Sequence, residues 1–237
     1  RVPILQAYLR GLKMPHEIII ADDGSRDADD TQKVVKALGC VYVVNPSNMG
    51  KGAALRLGMS KARGRFRIYT DADVPYEMDA IERFVWYLDY KEFHMVAGDR
   101  TLEGSTYFEH VPSVRSAGSR LMSFLVGRFF ASGWFDTQCG IKGFRDYVAD
   151  DLFGVSKINR FAIDVELLYL ALKRNYDIKR LPVNLDFQGK SSVRPIRDGL
   201  QILIDIARIR KNQMLGSYRP QGEVLRVIDS YAERKVK

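Results

Sequence analysis

The stretch Glu17-Ile18-Ile19-Ile20-Ala21-Asp22-Asp23-Gly24-Ser25 decides the fold of this 237-residue chain. An apolar run of strand length ends here in two acids, a glycine and a serine, which is typical of a buried parallel strand that leads into a loop. In open α/β sheets, ligands bind in the crevice beyond the carboxyl ends of the strands. We therefore expect Asp22 and Asp23 to face a binding cleft, although residues 22–25 fit equally well as the cap of the next helix.

A second apolar segment, residues 66–70, ends in Asp71-Ala72-Asp73. Carboxylates suit a hard cation such as Mg²⁺ or Mn²⁺, which keeps positions open for phosphate oxygens when the protein supplies only one or two ligands. A lone Asp-x-Asp pair is more often a solvated turn. Here four carboxylates would share one cleft, and they repel one another unless a cation or the donor groups of a nucleoside neutralise them. The pattern predicts a divalent cation on a diphosphate, with Asp71 and Asp73 as the metal ligands.

Residues 48–54, Asn-Met-Gly-Lys-Gly-Ala-Ala, place a glycine-flanked lysine, Lys51, at a predicted helix start. Backbone N–H groups and the lysine could meet a phosphate at such a position. The spacing differs from that of a P-loop, so the segment only suggests a phosphate contact.

Strand-like runs at residues 18–21, 41–44, 66–70 and 95–98 alternate with helical patterns at residues 29–38, 52–62 and 78–87. This alternation predicts an α/β fold with a mainly parallel sheet and helices on both faces. A long loop, an apolar helix over residues 118–130, a strand over 141–144, a helix over 164–173 and a strand over 178–185 follow. The chain opens on a helix over residues 2–12, and since such folds normally begin with a strand, we expect a first strand before residue 1.

The length suits one α/β domain, and no linker, repeat or low-complexity tract divides it. We expect a catalytic domain over residues 1–212 and a C-terminal tail or helix over residues 213–237. Cys40 and Cys139 lie far apart without metal-ligand spacing, so we expect both to be reduced in a cytosolic setting. Asp164 and Glu166 open a predicted helix, where acids favour the N-terminal dipole.

The net charge of +8 is concentrated in residues 190–219, which carry seven basic side chains against two acids. Such a segment can serve nucleic acid, anionic lipid or a phosphorylated substrate. No nucleic-acid-binding motif accompanies it, so we expect no nucleic-acid partner. Residues 200–210 form a largely apolar helix with one polar stripe, which lies either in the core or on a bilayer surface. No apolar run is long enough to span a membrane, so we expect any membrane contact to be peripheral.

Six short motifs in order carry a resemblance to a known family. The set resembles the inverting, GT-A fold glycosyltransferases of family 2, and among these the polyprenyl-phosphate branch of dolichyl-phosphate β-glucosyltransferases, their bacterial relatives and dolichol-phosphate mannose synthases. The likeness runs from residue 17 to residue 211. The motifs are Ala-Asp-Asp-Gly-Ser (21–25), Asn-Met-Gly-Lys-Gly (48–52), Thr-Asp-Ala-Asp (70–73), Gly-Asp-Arg (98–100), Asp-Thr-Gln-Cys-Gly-Ile-Lys (136–142) and Phe-Ala-Ile-Asp-Val-Glu-Leu-Leu (161–168).

The resemblance implies a role for each matched position. Asp22 would contact the base or ribose of a sugar nucleotide, and Asp71 and Asp73 would hold the sugar nucleotide, with Asp73 on the metal. Pro75 stands where some mannose synthases carry a glutamine near the metal. With the neighbouring residues of the motifs, the predicted nucleotide-sugar site comprises Asp22, Asp23, Lys51, Asp71, Ala72, Asp73 and Gln138.

Arginines are the predicted acceptor-binding groups, because a guanidinium binds phosphate in a bidentate manner. Arg100, Arg115 and Ser119 fall where mannose synthases bind the lipid phosphate. Lys190 and Arg194 belong to a cationic, hydroxyl-rich stretch that we expect to close over a phosphate. The predicted catalytic residues are Asp73, Arg100 and Asp136.

The function expected from the resemblance is transfer of a hexose, glucose before mannose, from UDP-glucose or GDP-mannose to dolichyl or undecaprenyl phosphate. We expect this at the cytoplasmic face of a membrane, with Mg²⁺ or Mn²⁺ as the cofactor. Two alternatives stay open. One is a family 2 transferase acting on a hydroxyl, with Asp136 as the base. The other is a basic peripheral membrane-binding module without catalysis.

Overall fold

Helices and strands alternate along the chain. The computed structural model describes residues 1–105, 136–186 and 195–219, with side chains from residue 199 in the last range. Its elements in chain order are α1 (Val2–Gly11), β1 (Ile19–Asp22), α2 (Ala28–Ala37), β2 (Val41–Val44), α3 (Lys51–Lys61), β3 (Phe66–Tyr69), α4 (Asp79–Asp89), β4 (Met95–Asp99), β5 (Lys142–Arg145), α5 (Asp146–Val155), α6 (Ile163–Lys173), β6 (Ile178–Pro182) and α7 (Pro195–Met214).

The strands of the described residues form a two-stranded and a four-stranded sheet. β1 and β2 pair in parallel, from Ile19 opposite Val41 to Asp22 opposite Val44. The second sheet has the order β3-β5-β4-β6, in which β4 and β6 are parallel. β5 runs antiparallel to both of its neighbours, so this sheet is mixed rather than mainly parallel.

Helices cover both faces of the four-stranded sheet. Met95 and Ala97 of β4 belong to a core that includes residues of α5 and α6, whereas Val96, between them, packs in a second core with residues of α4. This alternation is the two-residue period of a strand buried on both faces. The predicted α/β fold with helices on both faces is confirmed.

Three chain segments that carry predicted site residues meet at one edge of the sheet. Tyr69, at the end of β3, and Ala97, near the end of β4, both lie opposite Lys142, at the start of β5. Gly98 continues the pairing through an N–H that donates to the Ile141 oxygen at 3.0 Å. The antiparallel direction of β5 therefore brings residues 136–141 to the edge where β3 and β4 end.

Two elements differ from the sequence expectation. Helix α5 was not predicted, because three aspartates and a glycine interrupt its apolar pattern; burial of residues such as Val148 and Leu152 stabilises it instead. The strand expected over residues 178–185 ends at Pro182, which has no N–H for a further ladder bond. Helix α7 crosses residue 212, and residues 220–237 lie outside the described part, so the division into domain and tail stays a prediction.

Candidate active site

The turn that carries Asp71 and Asp73 follows β3 directly. The Val74 N–H donates to the Asp71 main-chain oxygen at 2.9 Å, and Val74 has a φ of +43°. A positive φ on a β-branched residue costs about 1–3 kcal/mol and persists only where surrounding contacts enforce it. Here the Val74 side chain is buried, and the Arg1 guanidinium donates to the Val74 oxygen at 3.2 Å. The turn is therefore fixed, and it leaves Asp71 half-buried and Asp73 exposed.

The Asp71 carboxylate lies against the backbone of Gly140. A Cβ at Gly140 would fall 1.9 Å from Asp71 Oδ2, so only glycine allows this approach. The Gly140 N–H donates to the buried Tyr76 hydroxyl at 3.0 Å, which fixes the segment before β5 beside the turn after β3.

A buried ion cluster stands behind Asp71. Lys51 Nζ lies 3.0 Å from both Asp71 Oδ1 and Asp164 Oδ2. Asp164 is buried, and its Oδ1 accepts hydrogen bonds from Lys142 Nζ at 2.6 Å and from the Tyr69 hydroxyl. Asp164 thus connects α3, β3, β5 and α6, and through Lys51 it orients Asp71.

Electrostatics keep this cluster ionised. Burial alone would raise the pKa of Asp164, but the ammonium groups of Lys142 and Lys51 lower the pKa to about 2. Burial would lower the pKa of Lys51, and the carboxylates of Asp164 and Asp71 raise it instead. The pKa of Tyr69 is raised by burial and by its carboxylate neighbour. Asp164 and Lys51 therefore carry fixed charges at neutral pH.

Asp73 has the opposite electrostatic setting. Partial burial and the charge of Asp71 raise the pKa of Asp73 above its ordinary value, and among the described residues no basic side chain forms an ion pair with it. The charge of Arg1 offsets this rise only in part. A carboxylate that repels its neighbour and has no direct ion pair fits a cation ligand. The described residues hold no group of three or more His, Cys, Asp or Glu arranged as a metal site. Asp71 and Asp73 would then supply few ligands, which suits a cation that also binds phosphate oxygens.

Arg100 and Asp136 form a buried bidentate pair at the end of β4. Arg100 Nε donates to Asp136 Oδ2 at 2.8 Å, and Arg100 Nη2 donates to Oδ1 at 2.7 Å. The Arg100 main-chain N–H adds a third bond at 2.8 Å. Burial would raise the pKa of Asp136, but Arg100 lowers it below its ordinary value. Asp136 is thus a permanent anion whose role in this structure is to fix the guanidinium of Arg100.

Asp22 and Asp23 follow β1 as expected, and both carry local hydrogen bonds. Asp22 accepts from the Tyr42 hydroxyl at 2.6 Å and from the Ser25 hydroxyl at 2.7 Å. Burial would raise the pKa of Asp22, but these bonds lower it. Asp23 accepts from Asn45 Nδ2 at 2.8 Å and from the Gly50 N–H at 2.6 Å. Asp23 therefore holds the loop before α3, and a role for either acid toward a nucleotide stays a prediction.

The N–H groups at the start of α3 are engaged by protein rather than left for a phosphate. The Gly52 N–H donates to the Asn159 oxygen at 2.7 Å, and the Ala53 N–H donates to the same oxygen at 3.3 Å. A Cβ at Gly52 would fall 2.2 Å from the Ile158 oxygen, so glycine serves this contact between backbones. These two N–H groups are therefore not available to a phosphate, and the assignment of Lys51 to the nucleotide sugar stays a prediction.

Unpaired polar atoms mark the same edge of the sheet. Thr70 Oγ1, Thr137 Oγ1 and Gln138 Nε2 are buried and have no hydrogen-bond partner in the described structure. Thr70 precedes Asp71, and Thr137 and Gln138 follow Asp136. Because buried polar atoms are normally paired, these three fit contacts to a polar ligand such as a sugar.

Several predicted residues cannot be placed in this site. Arg115, Ser119, Lys190, Arg194 and the predicted helix over residues 118–130 lie outside the described residues. Ala72 lies in the exposed part of the turn after β3.

The pairing of Asp164 with Lys142 is not apparent from the sequence. Asp164 was assigned to a helix terminus because acids are common there. Two sequence signals could have indicated the pair. Lys142 lies inside a strand-like apolar run, residues 141–144, and Asp164 lies in a helix whose remaining residues are almost all apolar. A charge buried in either element needs a partner of opposite charge.

Known proteins resemble this chain over most of its length. Residues 4–153 match the family model described as glycosyl transferase family 2. The chain is 32% identical over 225 residues to a dolichyl-phosphate beta-glucosyltransferase of Dictyostelium discoideum, covering 89% of this chain and 67% of that protein. It is 29% identical over 216 residues to the Homo sapiens protein of the same name, covering 86% of this chain and 66% of that one. The chain thus spans about two thirds of the length of these curated relatives.

Solved structures support the fold. Glucosyl-3-phosphoglycerate synthase from Mycobacterium tuberculosis, in complex with uridine diphosphate, matches with a TM-score of 0.60 at 17% identity, over 81% of this chain and 68% of that one. The same synthase with Mn²⁺, uridine diphosphate and glucosyl-3-phosphoglycerate matches with a TM-score of 0.55. At this identity the likeness concerns the fold, and the predicted GT-A class is confirmed.

Replacing Asp164 tests the ion cluster. We expect Asp164→Asn to lower the free energy of unfolding by about 3–5 kcal/mol at pH 7, because Lys51 and Lys142 lose their buried counter-ion. Asp150→Asn, which removes the half-exposed partner of Arg67, should cost less than about 1 kcal/mol. Urea unfolding of the three proteins measures both changes.

The stability difference between the wild type and Asp164→Asn should depend on pH in a defined direction. The folded pKa of Asp164 is depressed below its ordinary value of 3.8, so its stabilisation is complete above that value and is lost as the pH falls toward about 2. The difference between wild type and Asp164→Asn should be constant from pH 7 to pH 5 and shrink below about pH 4. Equal stability of the Asp164 and Asp150 variants at pH 7 would contradict the cluster's role.

Proposed function

The chain belongs to glycosyl transferase family 2, and on that premise we propose that it is an inverting hexosyltransferase acting on a polyprenyl phosphate. The donor is a nucleoside-diphosphate sugar, with UDP-glucose favoured and GDP-mannose next. Glucose and a dolichyl-type acceptor are supported by the names of the curated relatives. Uridine diphosphate is supported by the complexes of the structural neighbours.

The Arg100–Asp136 pair is the observation that carries the choice of acceptor. A hydroxyl acceptor needs a general base, and Asp136 is the candidate base that the sequence offers. In the structure this carboxylate is buried, has a lowered pKa and accepts three bonds from Arg100, so it is a poor proton acceptor. A phosphate monoester needs no base, because its second pKa of about 6 leaves it largely ionised at neutral pH.

The position of Arg100 supports the same choice. Arg100 follows β4 and Asp71 follows β3, with β5 between them. Two strand spacings separate the two sites by about 10 Å. This separation leaves room for the sugar between a donor diphosphate held at Asp71 and Asp73 and an acceptor phosphate held at Arg100, as a displacement with inversion requires.

The reaction follows from these placements. An oxygen of the acceptor phosphate forms a bond to the anomeric carbon, and the bond from that carbon to the donor diphosphate breaks with its electron pair leaving on the diphosphate. Arg100, fixed by Asp136, binds and orients the attacking phosphate. Lys51 and Asp164 keep the Asp71 carboxylate in place. No proton has to move in this step.

Asp73 and Asp71 would hold Mg²⁺ or Mn²⁺, which supplies positive charge for the departing diphosphate. The unpaired Asp73 and the shared Asp71 support this assignment. Mn²⁺ is favoured by the complexes of the structural neighbours, and Mg²⁺ stands as the second choice.

An isoprenoid acceptor places the enzyme at a membrane surface. Among the described residues, no helix is both long and apolar enough to cross a bilayer. We propose that the protein acts as a peripheral protein on the cytoplasmic face. A binding module without catalysis is the less favoured function, because it leaves Asp73 and the Arg100–Asp136 pair without a task.

Arg100→Lys tests the acceptor site. Incubation with Mn²⁺, labelled UDP-glucose and a short polyprenyl phosphate, followed by lipid extraction, should place label in the organic phase for the wild type. We expect Arg100→Lys to lower kcat/KM about 100-fold, because lysine cannot reproduce the bidentate pair with Asp136. Arg67→Lys, a matched change at an ion pair outside the site, should stay within about twofold of wild type. Normal transfer by Arg100→Lys would show that Arg100 does not bind the acceptor. Absence of lipid-linked label with both UDP-glucose and GDP-mannose would refute the proposed function.

Asp73→Asn tests the cation site with two readouts. The raised pKa of Asp73 means that its charge opposes folding above the folded pKa, and that this penalty disappears below the ordinary value of 3.8. We therefore expect Asp73→Asn at pH 7 to be at least as stable as wild type without metal. The same variant should lose transfer activity and the rise in thermal midpoint that MnCl₂ and UDP give the wild type. An unchanged rise would show that the cation binds elsewhere.

A further inference from the structure

Helix α7 has two faces of different character. Ile202 and Ile209 are buried in the core, and the buried Asp205 between them accepts a hydrogen bond from Arg208 at 2.9 Å. Beyond the helix, the Tyr218 hydroxyl donates to Glu166 Oε1 at 2.6 Å, which fixes the end of α7 against α6. The sequence left open whether this helix lies in the core or on a bilayer, and the structure shows that only its inner face is used by the core.

The outer face of α7 is an exposed apolar stripe interrupted by basic residues. Its positions recur at helical spacing over about 20 Å. Exposed apolar side chains that stand alone need no explanation, but a contiguous row does. The stripe consists of Leu200 (60% exposed), Leu203 (44%), Ile204 (51%), Arg208, Lys211, Met214 (87%) and, just past the helix, Leu215 (68%).

A basic cleft continues the stripe at its end. The cleft has a volume of about 400 Å³ and lies between the last turn of α6 and residues 213–219. Lys173, Arg174 and Arg219 line it beside Met214 and Leu215. Arg174 is paired with the buried Asp151, so Lys173 and Arg219 are the groups that could meet a headgroup. Two of the most exposed apolar side chains therefore stand next to cationic groups, an arrangement that suits a phospholipid with its headgroup in the cleft and its chains beside Met214 and Leu215.

We propose that the outer face of α7, residues 200–215 with this cleft, docks on an anionic lipid bilayer. Apolar side chains enter the headgroup boundary while Lys211 extends toward lipid phosphates. Arg208 stays paired with Asp205 at the edge of this face. The charge argues against a second copy as the occupant, because a two-fold dimer through this face would bring the same basic residues of the two protomers together. The proposal extends the peripheral location given above, and its test needs neither donor nor acceptor.

Vesicle flotation of the full 237-residue chain provides the test. We expect binding to vesicles of phosphatidylcholine with one quarter phosphatidylserine, and weaker binding to phosphatidylcholine alone. Leu203→Glu with Ile204→Glu should weaken binding about 30-fold or more, because two half-exposed apolar side chains are removed from the interface. The matched control is Ile4→Glu with Val34→Glu, which changes the charge equally at side chains 53% and 60% exposed on α1 and α2, and should retain near wild-type binding.

A milder variant guards against loss of folding. Lys211→Gln should bind the anionic vesicles about fivefold more weakly and leave binding to phosphatidylcholine unchanged. Wild-type binding by both α7 variants, or equal losses in the α7 and control pairs, would overturn the proposal. A second result would also overturn it: the wild type does not bind vesicles and is a dimer, whereas the variant with Leu203→Glu and Ile204→Glu is a monomer. That result would identify a second copy of the chain as the occupant of this face. Loss of flotation with intact transfer to a short-chain acceptor would leave the proposed reaction standing.

Discussion

One buried carboxylate, Asp164, organises the site. It is shared by two ammonium groups, Lys51 and Lys142, and by the Tyr69 hydroxyl, and it ties two helices to two strands of the sheet. A buried anion on its own would be too costly to keep. Two cations neutralise it, and one of them, Lys51, also forms an ion pair with Asp71 at 3.0 Å. The orientation of Asp71 therefore depends on an ion cluster that never meets the substrate in the proposed reaction.

The acids of this site differ in function because their surroundings differ. Asp164 and Asp136 are buried against cations, with pKa values below the ordinary range, and they position other groups. Asp73 is exposed and has a raised pKa, and in the proposed reaction it is the acid assigned to the cation. Since Asp136 is committed to Arg100, the proposed chemistry relies on an acceptor that is already ionised.

The sequence predicted the parts of this structure that depend on local pattern. The apolar runs that end in Asp22 and in Asp71 became the strands β1 and β3, and the motif Gly-Asp-Arg (98–100) placed Arg100 at the same sheet edge. No local pattern joins Arg100 to Asp136, 36 positions further along the chain, and only the structure shows that they pair. The role of Asp164 could not be predicted, because an acid at a helix start has a sufficient local explanation. Helix α5 was missed because its stability comes from burial between other elements rather than from its own residues.

The central claim is that the acceptor, rather than a protein base, supplies the ionised nucleophile. The most direct test is the pH dependence of single-turnover transfer to a polyprenyl phosphate and to the corresponding phosphonate, whose second ionisation occurs at higher pH. The account predicts a midpoint near the second pKa of the phosphate, about 6, that moves upward with the phosphonate. A midpoint that stays the same for both acceptors and disappears in Asp136→Asn, with most of the activity, would show that the protein supplies the base, and would contradict the account.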